Sequence, residues 1–205
     1  IGDKVVGEDS PSFIIAEIGN NHNGSIELAK KLVDEAIVAG ADCVKFQMRD
    51  LESLYINNGN SKDASADLGT QYTLDLLSKF QLNDEEMQEV FLYCNKKHII
   101  AICTPFDLKS LSKLESLGMP AYKIASADFT NYELIEAIAS KGKPIICSTG
   151  MATEQEIRDG IELIKNTGVP HAFLHCNSTY PAPFRDVNLN YIHHLKEISG
   201  GLVGY

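Results

Sequence analysis

The chain has 205 residues, of which 44% are hydrophobic and 22% charged, with a formal net charge of −10. That is an ordinary globular balance, and the acidity argues against a general binder of nucleic acid or anionic membrane, although a few lysines gathered in a cleft would still hold an anionic substrate. No run of 18 apolar residues occurs, so no transmembrane helix is expected, and the opening IGDKVVGEDS mixes charged with apolar positions, unlike a secretory leader. The five cysteines stand singly without a CxxC pair, which predicts buried, reduced thiols and a cytoplasmic setting rather than a metal or redox centre.

In chain order, short apolar runs rich in β-branched residues recur: FIIAEI (13–18), DCVKFQ (42–47), IIAICT (99–104), AYKIAS (121–126), PIICST (144–149), HAFLHC (171–176) and GLVGY (201–205). Each reads as a strand buried in a parallel sheet. Helical patterns lie between them. Ile26, Ala29, Leu32, Val33, Ala36 and Ile37 form one stripe over 25–39, and Met87, Val90, Phe91 and Cys94 form another over 84–97. Further helices are predicted at 131–140 and 154–166, with an inserted helix or loop in 48–80. Three capping boxes are predicted, pairing Asn83 with Glu86, Thr130 with Glu133 and Thr153 with Glu156. Gly40, Gly118, Gly142 and Gly168 stand where left-handed helix ends are wanted.

Seven β-α alternations predict an α/β fold with a helix-covered parallel sheet, and no strand opens into the GxGxxG turn of a dinucleotide site. The sheet is either a (β/α)8 TIM barrel or a doubly wound open sheet. A complete barrel runs to about 250 residues, so the chain reads as a C-terminally truncated barrel of about seven strands, ending on an apolar run with no helix after it.

Polar residues interrupt these runs. Glu17 sits in the first, Lys45 and Gln47 in the second, Lys123 and Ser126 in the fourth and His175 in the sixth, while Thr104, Ser148, Thr149, Asn177 and Ser178 lie at or just past strand C-termini. Lys45 and Gln47, two apart, share a strand face. Each residue has a plainer reading: Glu17 and Lys45 as an ion pair, His175 as a core histidine, Thr104 and Ser148 as partners for backbone groups. Buried charges cost several kcal/mol each unless paired, roughly, so their recurrence at strand ends points to a site where barrels bind substrate. Two lysines with hydroxyls suit a phosphate and a carboxylate, and a carboxylate from Glu17 or Asp128 suits polyol hydroxyls or proton transfer. The loops NNHNG (20–24) and NSTYPAP (177–183) read as substrate-contacting loops or as capped turns. Adjacent His193 and His194 lack the spacing for two ligands on one helix face, and no metal site is assigned to them.

Six motifs in order, IIAEIGNNHNG, CVKFQ, CTPF, YKIASAD, GKPIICSTGM and LHCNSTYPAP, cover 14–183 and closely resemble the sialic acid synthase family, which includes legionaminic and pseudaminic acid synthases and spore-coat polysaccharide relatives. The resemblance implies a (β/α)8 barrel followed by a small antifreeze-type C-terminal domain, and a homodimer in which that domain covers the partner's site. It implies condensation of phosphoenolpyruvate with an open-chain N-acetylated amino sugar, N-acetylmannosamine or a diacetylated trideoxy analogue, giving a nonulosonic acid and phosphate. Carried over by motif, Lys45, Thr104, Lys123, Ser126 and Ser148 resemble the phosphoenolpyruvate site, with Gln47 orienting the ligands. Glu17 resembles the carboxylate on sugar hydroxyls, and Tyr180 the substrate-contacting tyrosine of the TYP loop. Asp128 stands where many members have Glu, in a proton-handling position, and Ser178 where some have a sugar-binding Asn. A loop asparagine falls in NNGN, 57–60. The family's manganese or magnesium is held by two histidines that this chain does not contain, so its ligands are expected beyond Tyr205. Two other functions remain open: a lysine Schiff-base aldolase through Lys45 or Lys123, and a non-catalytic sugar-binding barrel.

Overall fold

The computed structural model describes residues 1–54 and 68–205, with side chains described outside 55–73. The NNGN asparagines lie outside the described residues. The elements in order are β1 Ile15–Gly19, α1 Ile26–Val38, β2 Cys43–Met48, α2 Leu51–Leu54, α3 Leu68–Phe80, α4 Asp84–Lys96, β3 Ile100–Pro105, α5 Leu108–Ser116, β4 Tyr122–Ile124, α6 Tyr132–Ala139, β5 Ile145–Ser148, α7 Glu154–Thr167, β6 His171–Leu174, α8 Tyr191–Ser199 and β7 Leu202–Gly204. Short 3-10 turns occupy Ser126–Asp128 and Phe184–Asp186.

All six strand pairings are parallel and the spatial order is the chain order, β1 to β7. A doubly wound sheet must reverse its winding to cover both faces, so this order leaves the barrel reading alone. The two sheet faces bury different partners. Val44, Phe46 and Met48 of β2 pack outward with Ala29 and Val33 of α1 and Val90, Phe91 and Cys94 of α4. The opposite face carries Cys43, Ile102, Ala121 and Ile146, and against them pack Ile1, Phe13, Ile15, Ile100 and Leu174. The N-terminal segment thus supplies an apolar floor to the concave side.

Local chemistry explains the helix ends. Asn83 with Glu86 and Thr153 with Glu156 close capping boxes on α4 and α7. The predicted box of Thr130 with Glu133 does not form. The 3-10 turn delays the helix by one residue, and Asn131 caps α6 instead, accepting from the Leu134 amide at 3.2 Å. Gly40, Gly118, Gly142 and Gly168 all have positive φ, as their positions after helices require.

Gly160 is a different case, because it lies inside α7, where alanine is normally the better residue. A Cβ there would stand 2.6 Å from the ring of Phe129, which is fully buried in the outer core. Gly160→Ala is therefore expected to destabilise the protein by about 1–3 kcal/mol, reversing the usual sign for a helical glycine. Thermal and chemical denaturation of the two proteins check this.

Candidate active site

Strand register assembles the polar residues. Glu17 lies opposite Lys45, Gln47 opposite Thr104, and Lys123 opposite Ile146, two residues before Ser148. Side chains alternate along a strand, so Glu17, Lys45, Gln47, Thr104, Lys123 and Ser148 share the concave face with Cys43, Ile102 and Ile146. On that face the apolar residues occupy the N-terminal half of the strands and the polar residues the C-terminal half.

Lys45 and Lys123 are buried, at 5% and 6% exposure. Lys45 Nζ meets Glu17 Oε2 at 2.9 Å and donates to Thr104 Oγ1 at 3.0 Å. Lys123 Nζ donates to the Ile124 carbonyl at 2.8 Å and to Ser148 Oγ. Burial, and after it the neighbouring Lys45 charge, pull the Lys123 pKa down to about 8. Glu17 is half exposed at the rim of this buried pair. Gly19 lets it approach Gln47: a Cβ at Gly19, where φ is 53°, would stand 3.0 Å from Glu17 Oε1 and 3.3 Å from Gln47 Nε2. The Gln47 amide oxygen accepts from Arg49 at 2.8 Å, and the Arg49 guanidinium lies 3.7 Å over the Phe106 ring.

The 3-10 turn after β4 presents Ser126 and Asp128. Ser126 Oγ accepts from the Gly150 amide at 3.1 Å, across to the end of β5. Burial raises the Asp128 pKa above the ordinary carboxylate value, against the charge of Arg49 and a hydrogen bond from Asn131. Asp128 Oδ2 is buried with no hydrogen-bond partner among the described residues.

The hydroxyls are consistently oriented. Thr104 accepts from an ammonium, Ser148 from an ammonium and Ser126 from a backbone amide, so each retains its own proton as a donor. Two buried ammoniums and three spare hydroxyl protons suit an anion rich in acceptor oxygens.

Other residues fall outside this cluster. Tyr180 is 94% exposed on the loop after β6. Ser178 is exposed, although its Oγ approaches within 2.9 Å of the place a Gly150 Cβ would occupy. His175 packs between Tyr191 and Tyr205, with ring centroids at 5.2 and 5.6 Å, but it is only half-buried and its Nε2 has no hydrogen-bond partner among the described residues, unlike a satisfied core histidine. Thr149 Oγ1 donates to the Leu174 carbonyl, a backbone role. In NNHNG, His22 is fully buried, its Nδ1 accepts from the Gly24 amide at 3.1 Å as in a capped turn, and its Nε2 has no hydrogen-bond partner among the described residues. His194 pairs with Glu154 at 3.2 Å. Among the described residues no three His, Cys, Asp or Glu side chains gather to hold a metal ion, and a pocket holding two ammoniums does not suit a dication. Sequence reasoning missed Arg49, Asp107 and Cys176. Asp107 is 9% exposed, caps α5 through the Ser110 amide at 2.7 Å and accepts from the Asp50 amide at 2.8 Å, fixing the chain after β2. Its position before an apolar helix was the available signal.

The arrangement gathers two buried ammoniums and three hydroxyls at the strand ends of a β/α-barrel fold, the end where such barrels place their chemistry. More narrowly, the chain belongs to the NeuB family, whose profile matches residues 32–205. It is 43% identical to an uncharacterized protein of Methanocaldococcus jannaschii, covering 100% of this chain and 58% of that protein. It is 38% identical to N,N'-diacetyllegionaminic acid synthase of Campylobacter jejuni, covering 95% and 60%. The chain thus spans about three fifths of the length of these curated relatives. The crystal structure of N-acetylneuraminic acid (sialic acid) synthetase from Leptospira borgpetersenii superposes with a TM-score of 0.89 at 34% identity, over 100% of this chain and 68% of that one. A truncated 3-deoxy-D-arabino-heptulosonate 7-phosphate synthase from Thermotoga maritima, at 13% identity and a TM-score of 0.65, shares the fold alone.

Lys123 carries a pH signature. Sulfate keeps its charge through the neutral and mildly alkaline range, so its binding reports the protein's titration. Because the folded pKa is lowered, the ammonium is present below about pH 8 and lost above it. Sulfate affinity measured by calorimetry on the complete gene product is expected to fall as pH rises through about 8. Lys123→Arg, which stays charged, is expected to flatten that limb.

Proposed function

We propose that this pocket condenses phosphoenolpyruvate with an open-chain N-acetylated amino sugar to give a nonulosonic acid and inorganic phosphate. The observation that carries the reading is the concave-face cluster of two buried ammoniums with three hydroxyls whose protons are free to donate. Phosphoenolpyruvate is small, carries a phosphate and a carboxylate, and presents acceptors in every direction such a cluster offers. Membership of a family whose relatives include legionaminic and sialic acid synthases supports the same substrate class.

In this reading Lys45, Lys123, Thr104, Ser126 and Ser148 hold the phosphate and carboxylate. C3 of the enol attacks the sugar aldehyde carbon, and the aldehyde oxygen takes up a proton. Water adds at C2, and the tetrahedral intermediate expels phosphate by breaking the C2–O bond, leaving the 2-keto acid. Asp128, whose buried carboxyl holds a proton more tightly than usual, exchanges a proton with that intermediate in this reading. Glu17, at the rim and already on Lys45, orients sugar hydroxyls, and Gln47 steadies the reacting carbons. Ser178 and Tyr180, on the loop after β6, contact the sugar in this reading. The described residues do not fit the divalent metal that the resemblance implies, so no step is routed through it. The homodimer and the small capping domain belong to the same proposal, as does a cytoplasmic setting, which five unpaired thiols suit. Among the described residues no helix is long and apolar enough to cross a membrane.

The test is phosphate release by the complete gene product from phosphoenolpyruvate, with N-acetylmannosamine and diacetylated trideoxy sugars offered in turn and manganese or magnesium supplied. Phosphoenolpyruvate labelled with 18O at the bridging oxygen is expected to pass its label to phosphate. Lys45→Met is expected to lower kcat/KM by about 100-fold or more, the scale for losing one preorganised charge-stabilising donor. A second reading is favoured by one observation, the lowered pKa of buried Lys123, which suits a Schiff-base aldolase. Borohydride with pyruvate would then leave a covalent adduct on Lys123, whereas the synthase reading expects none. Sugar binding without phosphate release would indicate a non-catalytic barrel.

A further inference from the structure

Four of the five cysteines, Cys43, Cys94, Cys103 and Cys147, are buried, and burial pushes their thiols up to about 12. The fifth, Cys176, is half-buried and lies just past β6. Its Sγ donates to Ser148 Oγ at 3.3 Å. The Cys176 backbone is fixed by a close approach to Gly150: a Cβ on that glycine would stand 2.6 Å from the Cys176 carbonyl oxygen and 3.0 Å from its Cβ. Ser148 therefore receives two donors at once, the Lys123 ammonium and the Cys176 thiol.

A serine hydroxyl has two acceptor lone pairs and one proton. With both lone pairs occupied, the third tetrahedral direction belongs to the O–H. We propose that Cys176 is a positioning residue that locks the Ser148 hydroxyl as a donor aimed into the anion pocket. Without the thiol, one lone pair is free, the hydroxyl rotates, and its dipole no longer favours an incoming phosphate or carboxylate oxygen. This inference rests on reading the pocket as the phosphoenolpyruvate site. It assigns Cys176 no contact with the reacting atoms.

The experiment compares wild-type, Cys176→Ala and Cys176→Ser forms of the complete gene product. Phosphoenolpyruvate binding is measured by calorimetry, KM for each substrate by phosphate release, and Tm by calorimetric unfolding. Cys176→Ala is expected to weaken phosphoenolpyruvate binding by about tenfold, the upper end of the range for a typical intramolecular hydrogen bond. It should raise KM for phosphoenolpyruvate by a similar factor and leave KM for the sugar and Tm unchanged. Cys176→Ser keeps a donor at this position and is expected to stay within about threefold of wild type. The proposal is overturned if Cys176→Ala binds phosphoenolpyruvate as wild type does. It is equally overturned if Cys176→Ser is as weak as Cys176→Ala, or if both KM values and Tm move together. Binding needs no turnover, so a wild type that binds phosphoenolpyruvate yet releases no phosphate would remove the synthase reading and leave the role of Cys176 standing or falling on its own affinity data.

Discussion

Lys45 and Lys123 stand on the inner face of one sheet, almost wholly removed from water, with the Glu17 carboxylate ion-paired to Lys45. Two like charges at such depth repel each other and lose hydration, an arrangement that costs several kcal/mol unless neighbours compensate, roughly. The compensation is partial: Thr104 and the Glu17 carboxylate for one, Ser148 and the Ile124 carbonyl for the other. The positive excess that remains is what an anionic ligand would neutralise. Much of the surrounding structure can be understood as the framework that holds this excess in place.

That framework has two parts. Beneath the lysines, Cys43, Ile102, Ala121 and Ile146 form an apolar layer, backed by Ile1 and Phe13 from the N-terminal segment. Outside the sheet, α1 and α4 pack Ala29, Val33, Val90 and Phe91 onto Val44 and Phe46. Low polarizability around the ammoniums strengthens every contact they make, and close packing limits their ability to relax away. Gly19 and Gly150 contribute by what they lack, since a side chain at either would collide with site residues.

The strands were legible because buried parallel strands require continuous β-branched runs, and the candidate site was legible because charges recurring inside such runs are costly to bury for packing alone. Lys45, Lys123 and Thr104 come together on one face as their strand positions suggested. The winding was not legible, since a barrel and a doubly wound sheet share the same alternation, and only spatial order separates them. Thr130 was expected to cap α6, but a 3-10 turn, set by tertiary packing rather than local propensity, moved the cap to Asn131. Cys176 was hidden because a cysteine ending an apolar run reads as core, and nothing in its own segment announces a serine from another strand. Tyr180 is exposed, and the neighbouring sequence gives no indication of what would cover it.

The floor has a kinetic meaning. Closed from below by Ile1 and Phe13, the pocket fills from the strand C-terminal end, and its deepest donors, Lys45 and Lys123, lie below the half-exposed Glu17. A ligand seated on the ammoniums is therefore covered by whatever then occupies the rim. Under the proposed synthase reading, geometry of this kind orders the reactants: the anion enters before the sugar that covers it.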